Sequence, residues 1–435
     1  MSSNIVSESQ ARRNVNYLAS LDMIISLGFG LIMPLFPLYL KYLSGESTEV
    51  GLQLGILFSM FVLTRAVFAT PFGNLSDRVG RKKLILIGSF LYAILAILFT
   101  VPTTWVGFLF VRALQGFASA MVWPVSEALI IDSTPPHMRA RAMSKVVMMS
   151  NMGMVIGPFI GGALFGLGDL LGFSQGNSFR FPFFFTAIAA IIAFALVWKN
   201  VTDARAPHEQ GTKLSFHEVV HPKGVDKQGI RNLRVLYANA AMEGLSFASI
   251  GPLMALFLIF KFSELGDALI PVIIGLAMGL GALIAYPSSK LADRMGKKRM
   301  FVLGGYASFI GTILIPFGWV VGIVIMFLAM RSMAFQVSSP ALRAMQADVV
   351  PERVRGRLIG VLESMSNLGS VIGAPMGGLM WDAFHGTDLG MQFMTGTNVP
   401  FLISGGLGLV TVSLVLLAVK DRGPVDKLIF DGGRG

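Results

Sequence analysis

Long stretches of apolar residues, separated by short polar segments, follow one another along most of the chain. Each is close to the roughly 20 residues that an α-helix needs to cross about 30 Å of hydrocarbon. The pattern predicts twelve such spans, at 16–40, 51–72, 84–101, 105–131, 143–167, 181–198, 233–260, 269–288, 300–317, 320–347, 358–381 and 398–419. Glycine and proline inside them are compatible with membrane helices, because neighbouring helices satisfy the freed backbone groups. The sequence therefore predicts an all-α membrane protein with twelve transmembrane helices.

The composition supports a membrane location, since 54% of the residues are hydrophobic and only 14% are charged, against about a quarter in soluble proteins. The net charge of +11 first suggests nucleic-acid binding. Most basic residues, however, lie in every second connecting segment, and only Lys41, Arg180 and Lys261 lie in the others. Because cytoplasmic loops are enriched in Lys and Arg, both termini are expected in the cytoplasm. We predict a multi-pass protein of the cell (inner) membrane and no nucleic-acid partner.

The two halves of the chain repeat one another. Segment 73–83 reads GNLSDRVGRKK and segment 289–298 reads SKLADRMGKK, so that Asp77 and Asp293 are 216 residues apart. The same offset joins Asp132 with Asp348, Pro135 with Pro351, Arg139 with Arg355, Arg141 with Arg357, Asn151 with Asn367, Gly153 with Gly369, Gly157 with Gly373 and Gly161 with Gly377. We predict an N-terminal six-helix bundle over 1–199, a cytoplasmic linker over 200–232, and a C-terminal six-helix bundle with a short cytoplasmic tail over 233–435.

The repeated charged segment resembles the signature loop of the major facilitator superfamily, G-x-L-[AS]-D-R-x-G-R-[RK]. The first copy matches throughout, with Gly73, Asp77, Arg78, Gly80 and Arg81 among its defined positions; the second keeps Asp293, Arg294 and Gly296 but carries Ser289 and Lys297. The resemblance implies the major facilitator fold, in which two pseudo-symmetric six-helix bundles give alternating access to a substrate site at the midplane between them.

So many charges in so short a connection predict a conformational latch on the cytoplasmic side. We expect Asp77 to meet Arg357 at the start of the eleventh span, where a carboxylate also faces a positive helix terminus. We expect Arg81 to reach Asp132 at the end of the fourth span, and Asp348 is the repeat counterpart of Asp132. These contacts would hold the cytoplasmic side shut.

The fourth span carries Arg112, Gln115 and Gly116, which resemble the superfamily motif R-x-x-Q-G. A charge near the bilayer centre costs about 3 kcal/mol on insertion scales, so Arg112 needs an internal partner or a water-filled cavity. A functional role and a purely structural inter-helix hydrogen bond are both open.

The fifth span carries glycines at every fourth position. Gly153, Gly157, Pro158, Gly161 and Gly162 resemble the motif of superfamily exporters that exchange substrate for protons. Small residues at this spacing also let a neighbouring helix approach closely, and helix packing alone explains the spacing. The resemblance to the complete motif favours export over uptake.

Ionisable residues well inside the spans mark the expected pathway. They are Asp22 in the first span, Arg65 in the second, Arg112 and Glu127 in the fourth, Glu243 in the seventh, Arg331 in the tenth and Glu363 in the eleventh. Because such charges face a bundle interior or an aqueous cavity, spans one, four, seven and ten are expected to surround a polar cavity. Asp22 followed by Pro34 and Pro37 resembles the drug:proton antiporters of the superfamily; alternatively, Asp22 caps the cytoplasmic end of its helix.

Apolar and polarisable side chains accompany these charges. They are Trp123, Met242, Phe247, Met254, Phe257, Phe335 and, beside the last, Gln336. Each is explained individually by packing. Together they favour a lipophilic or amphipathic substrate, because methionine adapts to different shapes. We expect them to line one cavity with Arg65, Arg112, Gln115 and Arg331.

These features predict a proton-coupled exporter of lipophilic or amphipathic small molecules. Depth favours Glu243 as the proton carrier, followed by Asp22, Glu127 and Glu363, since a buried carboxylate can hold a proton on one side and lose it on the other. A proton symporter, a facilitator or a lipid flippase on the same fold stays open.

An enzyme is not expected, because the chain has no cysteine, no H-E-x-x-H and no G-x-S-x-G motif. We expect a monomer without metal or cofactor, whose partners are the lipid bilayer, a small-molecule substrate and protons.

Overall fold

The computed structural model describes residues 8–44, 50–203, 227–348, 355–391 and 394–419. The helices of the first half are α1 (Glu8–Ile32), α2 (Phe36–Ser44), α3 (Val50–Val79), α4 (Arg81–Leu98), α5 (Trp105–Ser133), α6 (Pro136–Leu170) and α7 (Gln175–Asn200). Those of the second half are α8 (Lys227–Ile250), α9 (Leu253–Lys261), α10 (Leu269–Met295), α11 (Lys297–Leu314), α12 (Val321–Asp348), α13 (Arg355–Phe384) and α14 (Val399–Ala418).

Each of the twelve predicted spans coincides with helix. Within the described ranges, nine helical segments are long and apolar enough to cross a membrane, which is consistent with the twelve-helix prediction. One feature was not expected from the sequence: strands β1 (Asp388–Met391) and β2 (Met394–Thr395) form a short antiparallel hairpin between α13 and α14.

Two of the predicted spans contain a break in the helix. The first span divides into α1 and α2 around Pro34, and the seventh divides into α8 and α9 at Gly251 and Pro252. Proline has no N–H to donate, and its ring clashes with the preceding turn, which favours a break at these positions even though α6 continues through Pro158. The bend expected in the first span is present, and the second half has a break at the corresponding place.

The chain forms two compact units. The first unit consists of Met1–Gly211 and Met254–Gly275, and the second of Thr212–Leu253 and Leu276–Gly435. Segment 254–275 belongs to the second half of the sequence but to the first unit of the structure, and the division into two six-helix bundles stays a prediction. Of the predicted linker, residues 204–226 lie outside the described ranges.

Glycines bring two helices into backbone contact within each unit. A Cβ at three glycines of α6 would overlap carbonyl oxygens of α1, in the pairs Gly153 with Met23, Gly157 with Leu27 and Gly161 with Leu31. Three glycines of α13 meet α8 in the same way, in the pairs Gly369 with Ala241, Gly373 with Leu245 and Gly377 with Ser249. Gly162 instead faces the carbonyl of Ala268, and Pro158 lies inside α6. The same close packing therefore recurs in both halves.

The signature segment is helix up to a single-residue turn. Helix α3 continues to Val79 and α4 begins at Arg81, so the sharp turn is Gly80, which has a φ of 110°. Gly296 forms the corresponding turn between α10 and α11, with a φ of 88°. Residues with a Cβ rarely adopt such values, which explains glycine in both copies. The predicted loop is thus largely a continuation of α3.

An ion pair buried in the first unit joins this turn to α5. Arg81 Nη1 lies 2.7 Å from Asp132 Oδ2, and both side chains are 4% exposed. Arg81 Nη2 also lies 3.2 Å from Asp77 Oδ1, whose side chain is 45% exposed. Lys297 pairs with Asp348 at the corresponding positions of the second unit. Both halves therefore tie their turn to the end of a later helix.

Of the remaining residues of the expected latch, the structure describes the surroundings of Arg78 and Gly73. Arg78 is exposed, and a Cβ at Gly73 would meet nothing within 4 Å. The side chains of Asp293, Arg294 and Arg357 lie outside the described residues, so the contact between Asp77 and Arg357 stays a prediction.

Segment 254–275 packs inside the first unit at the helix ends opposite the Gly80 turn. Residues 254–259 of α9 are all buried, so this helix is covered on every side. Lys41 Nζ lies 4.8 Å from the centre of the Phe260 ring, and Gln175 Nε2 donates a hydrogen bond of 3.4 Å to Asp267 Oδ2. We call this contact the outer contact.

The outer contact is expected to weaken as the pH rises. Burial raises the pKa of the Asp267 carboxyl group, and Asp169 adds to the increase, while Gln175 and Lys41 oppose it. Because the pKa is raised in the packed state, the contact is more stable when the carboxyl group is protonated. This stabilisation is complete below the ordinary pKa of 3.8 and is lost as the pH rises through the raised pKa. Pulsed EPR between nitroxides at Leu170→Cys and Ser263→Cys should show a larger population at the short inter-label distance at low pH. Because the chain contains no cysteine, no other residue has to be replaced for labelling.

Asp267→Asn should keep the short distance at all pH values, because an amide does not ionise. Glu264→Gln, at an exposed position of the same loop, is the matched control and should titrate like the parent. An unchanged pH response in Asp267→Asn would contradict this role of Asp267.

Loss of Asp132 should cost far more stability than loss of Asp77. Asp132→Asn leaves the buried Arg81 without its closest carboxylate, and breaking a buried pair from one side costs about 3–5 kcal/mol. Asp77→Asn removes a half-exposed pair, which is worth about 1 kcal/mol or less. Thermal unfolding of both variants in the same detergent measures the difference, and equal losses would show that the Arg81–Asp132 pair is not the stronger one.

Candidate functional site

A small cavity lined by both polar and apolar side chains lies inside the second unit. It encloses about 20 Å³, which is room for about one water molecule. Glu243 from α8, Arg331 from α12 and Thr312 from α11 contribute to its wall, together with serine hydroxyls and the rings of Phe247 and Phe335. We call it the Glu243 cavity. It brings together an acid and a base that the sequence analysis had singled out on separate spans.

Arg331 is held from two directions in this cavity. Its Nε donates a hydrogen bond of 3.1 Å to Thr312 Oγ1, and its guanidinium lies 5.1 Å from the centre of the Phe247 ring. Phe247 in turn lies 5.7 Å from Phe335, centre to centre. A guanidinium over an aromatic face is attracted by the negative face of the ring, so Arg331 is oriented with no carboxylate of the described ranges in direct contact.

Glu243 is accompanied by a residue that the sequence analysis missed. Asn239 lies one helical turn before Glu243 and donates a hydrogen bond of 3.4 Å to its Oε2. Asn239 is fully buried, and its Oδ1 has no hydrogen-bond partner among the described residues. Arg343 is the cation that acts electrostatically on Glu243. In the sequence, Asn239 could have been identified from its position four residues before Glu243, because side chains at this spacing lie on the same face of a helix.

The first unit also contains a buried acid. Asp22 is 4% exposed, and its Oδ1 has no hydrogen-bond partner among the described residues. It lies well inside α1, which begins at Glu8, so the alternative that Asp22 caps the helix end is wrong. The exposed Glu127 of α5 is close enough to act electrostatically on Asp22. Asp22 and Glu127 thus form a pair of carboxyl groups in the first unit.

Arg112 occupies an aromatic cage in the first unit. It is 5% exposed, and its guanidinium lies 5.3, 5.0 and 4.9 Å from the ring centres of Phe29, Phe36 and Phe61. Its Nη1 donates a hydrogen bond of 2.5 Å to Gln115 Oε1 on the same helix. The internal partner expected for this arginine is therefore a set of rings and an amide. The hydrogen bond runs along α5, not between helices.

The remaining predicted cavity residues have varied environments. Arg65 of α3 lies over the Trp123 ring of α5 at 5.1 Å. Met242 and Gln336 are partly buried, and Glu363 on α13 is exposed and does not line the Glu243 cavity. The structure therefore groups Glu243, Arg331, Phe247 and Phe335 in the second unit and places Arg112 in a separate setting in the first.

Gly116 of the R-x-x-Q-G segment has a packing role. A Cβ there would overlap Thr64 Oγ1 and the Phe61 carbonyl oxygen of α3. Glycine at this position therefore allows α3 to approach α5, which brings Phe61 to Arg112.

Comparisons with known proteins support what the fold and these sites suggest. The sequence model of the Major Facilitator Superfamily matches residues 18–333 and 236–431. Multidrug resistance protein 2 of Bacillus subtilis is 27% identical over 403 residues, 90% of this chain and 91% of that protein. Tetracycline resistance protein, class G, of Vibrio anguillarum is 29% identical over 373 residues, 81% of this chain and 86% of that protein.

A solved structure shows the same fold. The crystal structure of the D-xylose-proton symporter superposes with a TM-score of 0.76 at 15% identity, over 93% of this chain and 98% of that one. The expected fold class and family are confirmed. With the family match running from residue 18 to 431 and apolar helices in both repeats, this chain belongs to the major facilitator superfamily and is a multi-pass integral membrane transporter.

Proposed function

We propose that this transporter exports lipophilic or amphipathic small molecules in exchange for protons. The observation that carries the proposal is the Glu243 cavity, where a titratable acid, a fixed cation and two aromatic rings share one wall. Relatives that cover most of the chain are named for resistance to multiple drugs and to tetracycline. In this conformation the cavity has room for about one water molecule, so a substrate would contact its aromatic wall only after the surrounding helices separate. Such a wall suits lipophilic compounds better than strongly hydrated sugars.

Glu243 is the proton carrier in this proposal. A carboxyl group surrounded by protein favours its neutral form, whereas contact with water favours ionisation. A proton taken up in one conformation is then released in the other, and coupling requires only that proton and substrate prefer different conformations. Asp22 with Glu127 is the second candidate, and Glu363 the last, because it is exposed.

Arg331 is proposed to respond to the charge of Glu243 and to hold the Phe247 ring in the cavity wall. Its planar guanidinium lies against Phe247 while Nε is bound to Thr312, so a substrate ring that displaces Phe247 would also disturb the arginine. Substrate and proton would thereby act on the same group. Arg112 has a different proposed role, since its cage stabilises the charge inside the first unit.

The membrane placement belongs to the same proposal. The distribution of basic segments favours the cell membrane with both termini in the cytoplasm, and we propose a monomeric working unit. A proton symporter, a facilitator or a lipid flippase of this family would share the fold. Flux direction separates them, because an exporter driven by exchange moves substrate against the proton flow.

Glu243→Gln is expected to abolish pH-driven transport. Glutamine keeps the size of the side chain but cannot exchange a proton. In proteoliposomes with an imposed pH gradient, transport of a fluorescent lipophilic dye should fall to background, while dye binding and dye-for-dye exchange without a gradient persist.

Glu264→Gln is the control for Glu243→Gln, because it makes the same chemical change at an exposed loop position and should transport like the parent. Full pH-driven transport by Glu243→Gln would refute the assignment of the proton carrier. Dye movement in the same direction as the protons would refute antiport.

Arg331→Lys should lower pH-driven transport at least tenfold although the charge is kept. Lysine lacks the planar fork and cannot both donate to Thr312 and lie flat on Phe247. Thr312→Val removes the acceptor for Arg331 together with the hydrogen bond that Thr312 donates to the Ser308 carbonyl, leaves the guanidinium itself in place, and should have a smaller effect. The same proteoliposome assay measures both variants, and parental activity in Arg331→Lys would show that only the charge matters.

A further inference from the structure

A second cavity, larger and distinct from the Glu243 cavity, lies at the basic end of the first unit. It encloses about 470 Å³ between the first turns of α1 and α6. Arg12 and Asn16 of α1, Thr134 before α6, and Arg141, Lys145 and Met148 of α6 form the walls used in the argument below. We call it the basic groove. No step of the proposed export mechanism uses it.

The groove concentrates positive charge without neutralising it. Among its described lining residues are three cations and no carboxylate. Within the part of the chain that the structure describes, Arg12 forms one ion pair, with Glu8 at 4.0 Å, and both side chains are exposed. Lys145 donates to Asn16 Oδ1 at 2.7 Å, which leaves its charge intact. Three cations around one cavity repel one another, so an anion bound among them would be stabilised by each.

Thr134 gives an independent indication of a ligand. This residue is 3% exposed, and its Oγ1 has no hydrogen-bond partner among the described residues. A buried hydroxyl without a partner costs free energy, and this one belongs to the groove wall. It lies beside the start of α6, whose first turn carries the positive end of the helix dipole. Because the hydroxyl oxygen is itself shielded from solvent, an acceptor oxygen in the groove would satisfy it only after a small shift of the groove wall.

The groove also has an apolar continuation. Arg141, Lys145, Met148 and Met152 recur at helical spacing on one face of α6, and Met148 is 54% exposed and Met152 is exposed. The basic part is therefore followed, toward the middle of the helix, by uncovered apolar side chains. A free phosphate would contact only the basic residues of the groove, whereas an amphiphile with an anionic head would contact both the basic residues and the exposed methionines.

We propose that the basic groove binds the headgroup of an anionic phospholipid. The lipid phosphate would lie among Arg12, Arg141 and Lys145 with an oxygen on the Thr134 hydroxyl, and an acyl chain would follow Met148 and Met152. The groove is on the face that the basic loops mark as cytoplasmic, where anionic lipids attract basic residues at about 1 kcal/mol each. The site is independent of the export proposal.

Native mass spectrometry of the purified full-length protein tests this site. Phosphatidylglycerol and phosphatidylcholine with identical acyl chains are added in turn, and retained lipid is counted. The parent should retain one phosphatidylglycerol in preference to phosphatidylcholine. Arg141→Gln with Lys145→Gln should weaken phosphatidylglycerol binding roughly 30-fold, since two surface charges are lost.

Two further variants distinguish a site from general attraction. Lys83→Gln with Lys199→Gln removes two exposed charges outside the groove and should bind like the parent. Thr134→Val keeps the shape of the side chain and removes the hydroxyl, and should weaken phosphatidylglycerol binding roughly tenfold without lowering the melting temperature.

Three outcomes would overturn the proposal. Equal retention of both lipids would show that charge is not recognised. An equal loss in the groove and control double variants would show general attraction. Displacement of phosphatidylglycerol by inorganic phosphate at similar concentration would show an anion site that does not use the acyl chain.

Discussion

A charged side chain buried in a membrane protein is tolerated only where the protein supplies its partners. Three arginines, two inside the spans and Arg81 at the Gly80 turn, meet this constraint in three ways. Arg112 is surrounded by phenylalanine rings, Arg331 is bound to a threonine and lies on one ring, and Arg81 is held between two carboxylates. Each solution requires side chains from more than one helix. The helices must therefore be held in a fixed register, and the charges constrain that register.

The register is provided by the glycine contacts, which occur twice. Helix α6 contacts α1, and α13 contacts α8, at glycines where the side chain of any larger residue would overlap the backbone of the neighbouring helix. Close approach of this kind maximises van der Waals contact where water-driven burial is absent. Both units contain the same glycine-mediated packing and a glycine turn that an ion pair connects to a later helix. These shared features are the structural counterpart of the sequence repeat. Both halves therefore have a similar rigid framework.

The chemistry built on this framework is not repeated. In the first unit the deep arginine is caged by rings, and the acid Asp22 has Glu127 as its charged neighbour. In the second unit the deep arginine Arg331 shares a cavity with the acid Glu243. The same framework thus carries two different arrangements of acid and base. In the proposed exporter this difference assigns proton exchange to the second unit and charge stabilisation to the first.

Much of the fold followed from the sequence alone, because membrane helices are specified by local composition. Span positions depend on runs of apolar residues, and the repeat is visible in pairs such as Asp77 with Asp293. The partners of the charges did not follow, because they come from distant segments. No spacing indicated that Phe29 and Phe61 would flank Arg112, or that Thr312 would bind Arg331.

The assignment of segment 254–275 to the first unit was equally hidden, because the end of one apolar span, a short loop and the start of the next do not indicate which helices they contact. Sequence by itself determined the family and the positions of the helical spans, since these depend on local hydrophobicity and motif. Only the tertiary structure decided which buried charge meets a ring, an amide or a cavity, because those contacts depend on how separate helices pack.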